Sequence, residues 1–140
     1  MTGRPEYTAA ALRNADYAVR HQRSNGWFEE CDLTDAGQPL LHTIAYTMQG
    51  LVGIGRLMGR WDLVDAVEVT AELLLELMDG EGFIPGCIDS NWKGASDWCW
   101  LTGSAQTSIV WAELYEITGK PQYWRGLQRV NHYLMLHHDT

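Results

Sequence analysis

Apolar residues recur along this chain at spacings of three and four, the period of a helix with one buried side, and glycine interrupts the pattern at intervals. Asn25-Gly26, Gly59, Asp79-Gly80 and Gly119 each follow such a segment. Glycine closes helices there because it enters the left-handed conformation at little cost. Pro121 suits a first helical turn, which needs no backbone donor. The spacing predicts five helices, over residues 7–23, 40–57, 62–78, 101–117 and 121–137.

These helices are of two kinds. The first, third and fifth carry charge around an apolar stripe, as where Asp62, Asp65, Glu68 and Glu72 oppose Leu63, Val67, Leu74 and Leu75. One side of each faces water. The second and fourth carry no charge from Leu40 to Gly55 and from Leu101 to Ala112, so other helices enclose them. The predicted order is outer, inner, outer, inner, outer.

The alternation is also a sequence repeat. At an offset of 60, Leu57-Met58-Gly59 falls on Ile117-Thr118-Gly119, Leu63 on Tyr123 and Val67 on Leu127. Ahead of the inner helices the offset is 56, which places Gly26-Trp27-Phe28 on Gly82-Phe83-Ile84, Cys31 on Cys87, and Ala11 and Ala15 on Val67 and Ala71. The second loop is four residues longer. The unit is a helical hairpin, present about two and a half times in a single all-α domain over residues 1–140.

Composition bounds the function. A chain of 140 residues can bury roughly 70% of its unfolded surface, and 46% hydrophobic with 20% charged residues is a globular balance. The net charge of −8, with no two Lys or Arg adjacent, excludes nucleic acid and anionic membranes as natural partners. The start, Met1-Thr2-Gly3-Arg4-Pro5, lacks the apolar core of a secretory signal, which points to the cytoplasm. The longest uncharged stretch, Ala36 to Gly55, is too polar to span a bilayer. Three cysteines without a Cys-x-x-Cys pair argue against a disulfide framework. Gly50, Gly53 and Gly55 lie inside a helical pattern in the order G-x-x-G-x-G, which is no dinucleotide fingerprint.

The runs Asn25-Gly26-Trp27-Phe28, Pro39-Leu40-Leu41-His42-Thr43-Ile44-Ala45-Tyr46 and Leu114-Tyr115-Glu116-Ile117-Thr118-Gly119-Lys120-Pro121-Gln122-Tyr123 resemble hairpins of the six-hairpin α/α-toroid superfamily. That superfamily includes glycoside hydrolases, uronate lyases and sugar epimerases. The resemblance implies a partial α/α toroid, a carbohydrate-related function without a cofactor, and a site where loops feed the inner helices. A complete toroid has about twelve helices, so five imply self-association, with a homodimer expected from exposed flanks of the inner helices.

The two loops, Trp27 to Pro39 and Phe83 to Trp100, hold Trp27, Glu29, Glu30, Asp32, Asp35, Asp89, Trp92, Asp97, Trp98 and Trp100. Tryptophan faces stack on sugar rings, while carboxylates bond hydroxyls or transfer protons. Asp32 or Asp35 with Asp89 or Asp97 makes a candidate acid and base pair, whose separation decides the mechanism. The same residues also read as solvated acids and tryptophans that brace the loops. On the second helix His42, Tyr46 and Gln49 share one face. The offset of 60 carries them to Thr102, Gln106 and Ile109, so the stripe matches in two positions of three. It reads as a polar lumen or as a buried hydrogen-bond network. His42, near a helix N-terminus, suits a neutral base.

Metal binding is the rival chemistry. Trp98-Cys99 followed by Gly103 resembles the Trp-Cys-x-Gly element of lanthionine-synthetase-like toroids, except that the glycine lies four residues after Cys99 and no Cys-His-Gly follows. Cys31, Cys87, Cys99 and His42 would form the zinc set, and inert buried thiols are the alternative. Two functions are therefore expected in competition: a saccharide binder or enzyme using Asp32, Asp97 and His42, or a helical-repeat module for self-assembly.

Overall fold

A computed structural model describes residues 4–33 and 37–138. Five α-helices follow one another: α1 (Pro5–Arg20), α2 (Leu41–Met58), α3 (Trp61–Leu77), α4 (Leu101–Thr118) and α5 (Pro121–His137). Among the described residues the only β pairing is in isolated bridges of the loops, and no helix is long and apolar enough to cross a membrane. Pro5 and Pro121 open α1 and α5. Gly59 and Gly119 close α2 and α4 at φ 66° and 68°, as the spacing predicts.

The other two glycine signals have a different role. Helix α1 stops at Arg20, short of the predicted end at residue 23, because the chain turns back to pair: the Glu29 N–H donates to the His21 carbonyl at 2.8 Å and the Arg23 N–H to that of Trp27 at 2.8 Å. Gly26 is then a turn residue at φ 77°, and its counterpart in the repeat is Gly82 at φ 96° instead of Gly80. A Cβ on Gly26 would meet Val69 and Leu73 of α3, and one on Gly82 would meet Arg129 and Tyr133 of α5. Those partners are 60 residues apart while the glycines are 56 apart, so both offsets of the sequence repeat appear in one packing motif.

The inner helices α2 and α4 pack side by side, with α3 against α2 and α5 against α4. Leu41, Ile44, Ala45, Met48, Leu51 and Val52 of α2 meet Leu63, Val67 and Leu74 of α3 and Val110, Trp111 and Leu114 of α4 in one core. Close approach at the heads of α2 and α4 depends on Gly103, whose Cβ would lie 2.7 Å from the His42 backbone nitrogen. On the outside, Lys120 and Tyr123 tie α5 to α3 through Glu68, at 2.7 and 2.9 Å. Burial, helped by that acceptor, pushes the Tyr123 hydroxyl far above the ordinary tyrosine range.

Candidate functional site

The two long loops form a rim over the heads of α2 and α4. The Gly86 carbonyl accepts the first N–H of α2, at Leu41 (2.9 Å), while the Gly86 N–H donates to the Trp98 carbonyl at 2.8 Å. The second loop thus caps a helix that has no side-chain cap of its own. The Trp98 ring lies directly on Gly86, where a Cβ would be 2.1 Å from the indole. Trp98 and Trp100 face solvent at 44% and 39% exposure, with ring centroids 5.8 Å apart. They form an open aromatic surface at the start of α4.

The loop tryptophans divide by role. Trp27 is 3% exposed and takes the edge of Trp92 at 5.6 Å. The Trp92 indole N–H donates to the Asn25 carbonyl at 2.8 Å, and Asn25 Nδ2 donates to the Ser90 carbonyl at 3.0 Å. Asp89 accepts the backbone N–H groups of Asn91 and Lys93, each at 2.9 Å, and so shapes its own turn. Trp27 and Trp92 therefore join one loop to the other, and Asp89 shapes the turn that carries Trp92.

The acids are spread along the rim. Asp97 is exposed and lines a cleft of about 490 Å³ with Asp79, Phe83, Tyr133 and His137 on the α5 side. Asp32 is half-buried next to Cys31, whose carbonyl accepts the Thr43 hydroxyl at 2.6 Å and whose thiol sits 3.4 Å from the Thr47 hydroxyl. Asp32 thus belongs to the α2 side of the rim and Asp97 to the α5 side; Asp35 lies outside the described residues. The thiols are dispersed as well. Cys99 contacts Ser104 at 3.2 Å, Cys87 bridges to Leu40, and no disulfide joins the three. Burial pushes the Cys31 and Cys99 thiols up. Among the described residues no three His, Cys, Asp or Glu side chains are arranged to hold a metal ion.

Below the rim runs the polar stripe. His42 packs edge-on against Tyr46 at 4.5 Å between centroids, Tyr46 is exposed and Gln49 half-buried. Gln106 of α4 is only 9% exposed, and its side-chain oxygen has no hydrogen-bond partner among the described residues. The same holds for His42 Nδ1. A buried polar atom left unpaired costs about 1–3 kcal/mol; the Gln106 oxygen lacks a donor, and His42 Nδ1 lacks a partner of either kind.

The stripe is longer than the sequence analysis made it. Continuing the 4-3-4-3 spacing from His42, Tyr46 and Gln49 reaches Gly53 and Arg56, and the same steps on α4 reach Glu113 and Glu116. Arg56 and Glu116, 60 residues apart, meet at 3.3 Å. Extending the repeat offset beyond Gln49 would have revealed them. On the α1 side the structure adds Tyr17 and His21, which line a cavity of about 140 Å³ with Phe28, Glu30, Cys31 and Thr47. There the Tyr17 hydroxyl donates to Glu30. Helix α1 reads from sequence as a mere outer helix, which hid these residues.

Glu113 carries a prediction. Its Oε2 is buried without a partner among the described residues, and desolvation pushes the carboxyl up, against the pull of Arg56 and aided by Glu116. The folded state thus holds the proton more tightly than the unfolded chain. That contribution is fully present below the ordinary value of 4.5 and is lost as pH rises through the raised one. Glu113→Gln should flatten this dependence and raise stability at pH 7 by up to ~1 kcal/mol. Urea unfolding of both proteins at acid and neutral pH checks it.

No protein-family model matches the chain, and no curated protein matches it in sequence. Solved structures do. A D-mannose isomerase aligns with a TM-score of 0.70 and 20% identity over 92% of this chain and 34% of its own. A UGL variant with dGlcA-Glc-Rha-Glc aligns at 0.72 and 17% identity over 94% and 40%. The unsaturated glucuronyl hydrolase of Bacillus sp. GL1, responsible for the degradation of glycosaminoglycan, aligns at 0.69 and 15% identity over 96% and 40%. The chain spans between 34% and 40% of the length of these proteins, and the likeness is one of fold. Five helices, with no sheet among the described residues, repeat as hairpins with alternating inner and outer members and give this chain the fold of part of an α/α toroid.

Proposed function

We propose that the rim over α2 and α4 binds a saccharide, making this chain a carbohydrate-related α/α-toroid protein. The observation that carries the reading is the pairing of exposed Trp98 and Trp100 at the head of α4 with unpartnered polar atoms of His42 and Gln106 on the inner helices. The indoles suit the C–H faces of a sugar ring. His42, Tyr46, Gln49 and Gln106 suit its hydroxyls, and hydrogen bonding there would relieve the orphaned atoms. Trp27, Asp89 and Trp92 support the surface by bracing it. Asp97, Asp32 and His42 are the groups for proton transfer in this reading. The sugar-processing fold relatives support it at the level of fold. Three cysteines outside any disulfide suit a reducing cytoplasm.

Calorimetric titration with neutral and uronate oligosaccharides tests this. Saturable binding is expected, weakened roughly tenfold when both Trp98 and Trp100 become alanine and unchanged by Trp61→Ala on the outer wall. Absence of binding to every oligosaccharide, or equal affinity in the double variant, would count decisively against the rim.

A second reading is favoured by exposed apolar side chains on the inner helices, Tyr46, Leu57 and Ile109. In it the chain is a self-assembly module, and a homodimer covers these positions. Light scattering would then give twice the monomer mass, and Leu57→Glu with Ile109→Glu would return the monomer.

A further inference from the structure

A separate groove of about 400 Å³ lies on the outer wall, lined by Gly80, Glu81, Arg125, Gln128, Arg129 and His132. The four α5 residues stand at i, i+3, i+4 and i+7, so one helix face presents all of them. The opposite wall is a turn fixed to that helix. Asp79 Oδ1 accepts the N–H groups of Glu81 and Phe83, each at 2.9 Å, and Arg129 Nη2 donates to the Asp79 carbonyl. Gly82 rests on the Arg129 carbonyl, where a Cβ would lie 2.4 Å from the oxygen. The groove is therefore preformed, and a ligand would not have to order it.

One helix face concentrates basic side chains there. Helix α5 contains Arg125 and Arg129 and no Asp or Glu. Arg23, Arg56, Arg60 and Lys120 are each paired with a carboxylate. The side chains of Arg125, Gln128 and His132 have no hydrogen bond or ion pair among the described residues, and Arg129 spends one nitrogen on a carbonyl. At physiological salt, charges beyond about 8 Å are largely screened, so this local set outweighs the distant part of the net charge of −8. Two carboxylates stand near it: Glu81 in the lining, and Asp79 in the turn, whose Oδ1 already accepts two backbone N–H groups.

We propose that this groove binds a phosphate or sulfate group. A guanidinium fork matches pairs of such oxygens. A tetrahedral oxyanion offers more acceptor oxygens than a carboxylate, and spreads them in more directions, for Gln128, His132 and Arg129. The site is distinct from the saccharide rim and stands or falls without it.

Titration of the protein with inorganic phosphate and with phenyl phosphate, followed by amide NMR, decides the matter. Saturable shifts are expected at Gly80, Glu81 and the Arg125 side chain. Arg125→Gln should weaken binding roughly tenfold, and Glu81→Gln should tighten it several-fold. Arg13→Gln on α1, which changes the net charge equally, should leave it unaltered. All three positions are exposed, so the fold tolerates the changes. Tighter binding of phenyl phosphate would identify an ester as the natural ligand, and tighter binding of phosphate the free ion. Shifts that do not saturate, or affinities equal in Arg125→Gln, Glu81→Gln and the parent, would overturn the proposal.

Discussion

Trp111→Ala should lower the stability of this protein by about 3–5 kcal/mol, a large part of what a domain of this size has. Trp111 is the largest fully buried side chain, at 0% exposure. Its indole N–H donates to the Ala71 carbonyl of α3 at 3.1 Å. On α5, Gly126 sits over its ring, where a Cβ would come within 3.2 Å. One side chain of α4 thus holds both neighbouring outer helices. The cavity left by alanine cannot close without moving helices fixed elsewhere by the Glu68, Lys120 and Tyr123 cluster. In urea unfolding the midpoint should fall steeply, while Trp124→Ala, at an exposed position, should cost under about 1 kcal/mol. Equal losses in the two variants would mean that the core is not organised around Trp111.

Gly82→Ala should cost about 2–4 kcal/mol for a single added methyl group. Two penalties combine. The backbone at φ 96° is one that an L side chain rarely adopts, and the new Cβ would stand 2.4 Å from the Arg129 carbonyl oxygen and 3.1 Å from Tyr133 Cβ. The first obstacle is backbone and cannot rotate away, so the 79–83 turn has to lift off α5. Thermal unfolding should show a clear drop in midpoint, and Phe83, whose ring meets Tyr133 edge-on at 5.9 Å, should lose that contact. Gly80→Ala, two residues earlier in open space, is the control and should be nearly silent.

Much of the fold could be read before any coordinates. The ends of α2, α3, α4 and α5 lie within a residue of their predicted positions, and Gly59, Gly119 and Pro121 mark the end of α2, the end of α4 and the start of α5. Helix α1 ends early where His21 and Arg23 pair with Glu29 and Trp27, and the Gln22 side-chain amide ties that turn to α3 through the Ala66 carbonyl at 2.8 Å and the Thr70 hydroxyl at 2.9 Å. Glycine identity alone could not distinguish a C-cap such as Gly59 from a turn pressed onto the next helix, such as Gly82.

For the site, sequence located the loops and the stripe but could not sort their members. Trp27 and Trp98 both lie in loops ahead of an inner helix, yet one is buried against Trp92 and the other lies open on Gly86. That difference arises from contacts between the two loops. His42 and Gln106 were legible because polar residues on an otherwise apolar helix are conspicuous. Glu113 was not, since it falls beyond the uncharged part of α4 and reads as an ordinary surface acid.

In the proposed function the open tryptophans at the rim receive a saccharide. A two-dimensional NMR titration of the indole N–H signals with uronate and neutral oligosaccharides tests this at the residues themselves. Saturable movement of the Trp98 and Trp100 signals is expected, while those of Trp61 and Trp124 stay in place. Movement confined to Trp61 or Trp124, or no movement with any oligosaccharide, would contradict it.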